Sequence, residues 1–146
     1  MSKTKTQEPA QVDGLHAPPS DVRSETALLG SIILKPDVID ELITQVREDD
    51  FYDDGNGILF ETLRQMHIAG KRIDIALLVS RLKKDKHFET IGGIARLTEV
   101  TQSVPNAANA VYYAQLVREA SVRRKLIGAS RDIAILAQDG DAEVDQ

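Results

Sequence analysis

Beyond its first twenty or so residues, the chain places apolar side chains at helical spacing, broken at intervals by proline, glycine and capping residues. Pro18-Pro19 closes a polar N-terminal stretch. Ser20 or Asp21 then offers a side-chain oxygen to the free amides of a first helix, which holds Ala27, Leu28, Gly30 and Ile32 and runs to about Leu34. Pro36 stops that helix and suits the first turn of the next, where a missing N–H costs nothing. Val38, Ile39, Leu42, Ile43 and Val46 form the buried stripe of the second helix. A third runs from about Asn56 to Ala69 with Leu59, Leu63 and Met66 on one side, and Gly70 closes it in the left-handed conformation. Asp74 caps a fourth helix. Ile73 before it is positioned to pack on Leu78, and Ile75, Leu78, Val79 and Leu82 form its inner face. Lys83, Lys84 and Lys86 follow at its C-terminal end, where positive charge is favoured. Gly92-Gly93 precedes a short helix from Ile94 to about Thr101, and Val104-Pro105-Asn106 is a turn.

From about Ala107 to Ala137 only Gly128 interrupts helical character. A helix of that length extends about 45 Å. The preceding segment, taken as a head over residues 20–104, has a radius of gyration of about 12 Å. The second half of the long helix must therefore project. Tyr113, Leu116, Val117, Ala120 and Ile127 make one apolar stripe along it, and Leu126, Ile133 and Ala137 make another, offset around the axis. Apolar faces with no head beneath them need partner helices, from a following segment or from another copy. Sustained period-two alternation is absent, so the expected fold is all-α: a compact head of five or six helices, then a long projecting helix over 105–138. Residues 1–19 read as a disordered tail and 139–146 as an acidic flexible end.

Composition narrows the function. The 146 residues include no cysteine, which removes disulfides and cysteine-based zinc sites. No apolar run reaches the roughly 20 residues that span a bilayer, and the first residues lack a secretion signal, so the expected location is the cytoplasm. The net charge of -5 is unevenly placed. Asp139, Asp141, Glu143 and Asp145 end the chain, whereas the segment from Pro105 to Gln138 carries Arg118, Arg123, Arg124, Lys125 and Arg131 against Glu119 and Asp132. Aromatic residues make up only 4% and do not alternate with basic ones, so direct DNA binding is not expected. The basic residues fit either a solvated charged helix or polar contacts to a partner at a helix–helix interface.

Catalytic chemistry is not legible. The lone Gly70-Lys71 pair is followed by Arg72 and lacks the upstream glycine of a phosphate-binding loop. His16, His67 and His87 are scattered and read as surface residues. Reading Asp50 as the start of a calcium loop puts Tyr52 at a ligand position, so Asp49, Asp50, Asp53 and Asp54 are assigned to capping and turns. Phe51 is expected in the core. Tyr52 is the exposed aromatic of the pair and a candidate partner contact.

Several segments recur in a recognisable order: Pro18-Pro19, ETALLGSIIL over 25–34, Asp50-Phe51-Tyr52, GKRID over 70–74, Ile91-Gly92-Gly93, residues 105–109, Tyr113-Ala114, Arg118-Glu119-Ala120 and Arg124. Together they resemble the N-terminal domain of the bacterial replicative DNA helicases of the DnaB family, over about residues 18–130. The resemblance implies a globular helical head followed by a helical hairpin. It also implies a non-catalytic collar that assembles as dimers within a ring and docks primase and the helicase loader. The ATP- and magnesium-dependent motor would lie on a separate domain, so no cofactor is expected on this chain. Tyr113, Leu116, Val117, Ala120, Leu126, Ile127, Ile133 and Ala134 are the expected interface. Arg118, Arg123, Arg124, Arg131 and Tyr52 are candidate partner contacts. Two departures stand out. A histidine common at the start of the third helix is replaced in Gly55-Asn56-Gly57, which would loosen that start. The sequence also ends where a returning hairpin helix would follow, implying either a piece of a longer protein or a stand-alone helical regulator that binds a helicase or primase.

Overall fold

The first helix, α1 (Val22–Leu34), is buried almost along its whole length, and the rest of the head is arranged around it. Asp21 caps it, its Oδ1 accepting from the Ser24 N–H at 3.0 Å. In this computed structural model, which describes residues 17–140, it is followed by α2 (Ile39–Leu42), α3 (Asp54–Ile68), α4 (Ile75–Lys84), α5 (Gly93–Thr101) and α6 (Ala110–Gln138). Two short 3-10 turns, Pro36–Val38 and Glu48–Asp50, lie between them. No strand occurs among the described residues. The expectations for residues 1–16 and 141–146 fall outside them.

Sequence and structure agree at the stop signals. Pro36 opens the turn after α1. Asp74 caps α4, its Oδ1 accepting from the Leu77 N–H at 2.9 Å. Gly70 closes α3 at φ +72, and the Lys71 N–H reaches back to the Met66 carbonyl at 2.8 Å. The second helix is shorter than its stripe predicts: regular structure stops at Leu42, leaving Ile43 exposed, while Val46 reaches the core from a turn. On α4, Leu78 and Leu82 are buried and Val79 is packed against them, but Ile75 faces outward. A ten-residue helix at the edge of a head has only one narrow buried line.

The core joins α1 to α3, α5 and α6, with Leu28, Leu29, Ile32, Leu59, Phe60, Leu63, Leu97 and Val117 at its centre. Gly30 is required where α1 meets α5. A Cβ there would come within 2.5 Å of the Val100 carbonyl oxygen and 2.6 Å of Ser103 Oγ. Nor does the Gly55-Asn56-Gly57 stretch loosen α3. Asp53 caps the helix by accepting from the Asn56 N–H at 3.0 Å, and a Cβ on Gly57 would meet the Glu48 carbonyl at 3.0 Å.

Candidate partner-binding surface

Helix α6 has 29 residues, about 43 Å at 1.5 Å each, and only its first half lies on the head. Ala110, Ala114, Val117, Ala120 and Ser121 are buried there. This corrects the expected interface. Val117 is 1% exposed and belongs to the core, Ala120 is covered, Tyr113 packs against the core, and Leu116 is half-buried. Apolar packing on the head reaches Ala120, and polar contacts carry the head-bound segment about one turn further, to Lys125.

Those polar groups converge on Asp50. Its side chain is 1% exposed, at the end of the 3-10 turn Glu48–Asp50. Oδ2 accepts from the Arg47 N–H at 2.8 Å. Oδ1 accepts from Ser121 Oγ at 2.6 Å, Arg118 Nη1 at 3.0 Å and Lys125 Nζ at 3.4 Å. Arg124 completes the set, donating to the backbone carbonyls of Asp50 at 2.7 Å and Pro19 at 2.8 Å, with its guanidinium 5.5 Å from the centre of the Tyr52 ring. Burial alone would raise the Asp50 pKa. The hydrogen bonds from Ser121, the Arg47 amide and Lys125, with the Lys125 charge, outweigh it and hold the carboxyl below its ordinary value. Arg118 and Arg124, expected as partner contacts, are thus engaged within the chain, and Tyr52 is 43% exposed with one face under Arg124.

A second polar network fixes the other side of the same segment. Glu25 on α1, 1% exposed, accepts from the Tyr52 N–H at 2.6 Å, the Asp53 N–H at 3.3 Å and Asn56 Nδ2 at 3.0 Å. Arg96 on α5 donates to Asn56 Oδ1 at 2.7 Å and Thr26 Oγ1 at 2.9 Å, and pairs with Glu99 at 2.8 Å. Both acceptors and donors are satisfied, as buried polar groups require. Sequence reasoning missed Glu25, Asn56, Arg96 and Ser121 as determinants. Of the four aspartates, Asp53 caps α3 and Asp50 closes its turn and anchors α6, and no cluster of three or more metal-binding side chains exists among the described residues.

Beyond Ser121 no apolar side chain of the helix is buried. Leu126, Ile133, Ile135 and Leu136 are each more than 60% exposed, Ile127 and Val122 more than a third, and Ala134 is exposed too. Val122, Leu126, Ala129, Ile133 and Leu136 follow one another at spacings of four, three, four and three, the signature of a seam between paired helices. That spacing was legible in the sequence and sharper than the two offset stripes inferred from it. Arg123 and Arg131 also lie on the exposed surface of this helix, Arg123 beside the groove formed by Leu116, Glu119 and Asp21.

The fold is an all-helical head whose last helix is left half uncovered. Comparison with known proteins is specific. Residues 17–119 match the model of the DnaB-like helicase N terminal domain, and the chain belongs to that family. It is 34% identical over 129 residues to the replicative DNA helicase DnaC of Bacillus subtilis, covering 88% of this chain and 28% of that protein. Against the replicative DNA helicase DnaB of Pasteurella multocida the identity is 31% over 135 residues, covering 92% and 29%. The chain thus spans less than a third of the length of these curated relatives. Among solved structures, it matches the N-terminal domain of DnaB helicase from Mycobacterium tuberculosis with a TM-score of 0.81 at 28% identity, covering 85% of this chain and 90% of that one. It matches the corresponding Helicobacter pylori domain, described together with its interactions with primase, with a TM-score of 0.71 at 27% identity, covering 80% and 91%. No helix among the described residues is long and apolar enough to cross a membrane.

Proposed function

We propose that this chain acts as the non-catalytic collar domain of a cytoplasmic replicative DNA helicase, joining subunits through the exposed half of α6 and offering the assembled heads to primase and the helicase loader. The observation that carries the reading is the uncovered seam of Val122, Leu126, Ala129, Ile133 and Leu136. Each large aliphatic side chain buried fully contributes about 1.5–3 kcal/mol, so a handful of such residues on each of two helices supports association after its entropic cost. The Asp50 cluster engages Arg118, Arg124 and Lys125, which favours protein partners over nucleic acid for this surface. Primase docking rests on the likeness to the Helicobacter pylori domain. ATP and magnesium belong to a motor domain of the longer helicase, in keeping with the relatives' greater length.

Sedimentation of the chain at several concentrations tests the central step. The parent should show concentration-dependent self-association, and the Leu126→Asp, Ile133→Asp double variant should remain monomeric with unchanged helix content. The same mass for both across the whole range would remove the rod from the interface.

A further inference from the structure

The Asp50 cluster sits where α6 leaves the head, and its donors are spread along the helix rather than gathered at one point. Arg118, Ser121 and Lys125 lie three and four residues apart, so they share the face that looks back at the Glu48–Asp50 turn. Arg124, one step round, ties the same turn through the Asp50 carbonyl and adds the Pro19 carbonyl, from the segment that enters α1. Apolar packing under α6 ends at Ala120 among the buried residues, and every large apolar side chain of α6 from Val122 to Leu136 is at least a third exposed. Over its last head-bound turns, then, the rod is held by charge and hydrogen bonds, with Arg118, Ser121 and Lys125 on the Asp50 carboxylate and Arg124 on the Asp50 and Pro19 carbonyls.

The turn carrying that carboxylate is itself rigid. Asp50 Oδ2 locks onto the Arg47 amide, Phe51 stacks on Phe60 at 5.1 Å between ring centres, and Glu25 of α1 grips the next two amides. The anchor therefore transmits the orientation of α1 and α3 to the helix.

We propose that Asp50 is the pin that sets the direction in which the rod leaves the head: a positioning residue acting through Arg118, Ser121 and Lys125. Removing its charge leaves the head folded, because the core of α1, α3 and α5 does not depend on it. The rod then swings about the last apolar contact near Val117 and Ala120. Where two rods pair, the angle at each root fixes the spacing of the two heads. That consequence rests on the assembly reading above; the pin itself concerns a single chain.

The absence of cysteine allows a clean test. Ser80→Cys on α4 and Ala134→Cys on the rod, both exposed positions, accept a pair of spin labels. Labelled chain diluted into an excess of unlabelled chain reports only the distance within one molecule, whatever its oligomeric state. The parent should give one narrow distance distribution. Asp50→Asn should at least double its width, while amide exchange in α1 remains as slow as in the parent. If Asp50→Asn unfolds the head, the variant Arg118→Gln, Lys125→Gln decides instead, since both side chains are about half exposed and lie outside the core. It should broaden the distribution in the same way, and Arg118→Lys, which keeps the cation, should broaden it less. An unchanged narrow distribution in the folded variant that decides would overturn the proposal, whether or not the rods self-associate.

Discussion

The two halves of α6 are built from similar residues and meet different surroundings. From Ala110 to Ser121 the helix lays Ala114, Val117 and Ala120 into the head, where small side chains let its backbone come close to α1. From Val122 to Gln138 it carries larger aliphatics at a strict seam spacing with nothing beneath them. The first half uses its apolar face to complete a fold. The second leaves its apolar face uncovered. The amino-acid type does not separate the two uses: Val117 and Val122 differ only in what lies across from them. Between them sits Asp50, which makes the boundary a polar junction.

The same substitution on either side breaks the comparison most sharply. Val117→Asp would bury an unpaired charge and should cost about 4 kcal/mol, read as a lower urea midpoint. Ile133→Asp lies on the uncovered seam and should change stability by less than about 0.5 kcal/mol. Both are compared at concentrations where the chain is monomeric, and equal losses there would mean that the rod is covered within the chain.

Glycine sharpens the contrast at a smaller scale. Gly30→Ala drives a methyl into the Val100 carbonyl and should destabilise by about 1–3 kcal/mol. Gly128→Ala, in the projecting half with no atom within 4 Å of the added carbon, should stabilise the helix by up to about 1 kcal/mol. Thermal melts of the two variants should move in opposite directions.

The smallest effect is pH-dependent. The Asp50 carboxyl is held below its ordinary value in the folded chain, so the unfolded chain binds more protons at acid pH. Its contribution is complete above the unfolded value near 4 and is lost as the pH falls through the folded one. The effect is reduced because Arg118 and Lys125 are half exposed and screened by solvent. The stability gap between the parent and Asp50→Asn, measured by urea unfolding, should be widest near neutral pH and shrink below pH 4. A gap that stays constant into acid would show that the charge on Asp50 contributes nothing.

Features with short-range causes were read directly. The Asp21 and Asp74 caps, the Pro36 stop, the Gly70 closure and the burial of Leu59, Leu63 and Met66 each follow from a few adjacent residues. Misreadings arose where a stripe met the limits of the head. Ile43 and Ile75 have the right spacing but fall beyond the packed line, and Tyr113 to Ala120 have the spacing of an interface but lie on the head. The polar junction left no local trace at all. Asp50 sits in an acidic run that reads as a turn, and its partners on α6 are 68, 71 and 75 residues away.

By itself, then, the sequence determined a run of helices with cap and stop signals between them, followed by a long one whose apolar residues reach past the preceding head. Periodicity, capping and length are local properties, and local chemistry specifies them. Where the head stops supporting the long helix, and which charges face inward to hold it there, only the tertiary structure decided. Burial and ion pairing depend on what comes to lie opposite a side chain, and the opposite group here is contributed by a turn more than sixty residues earlier in the chain.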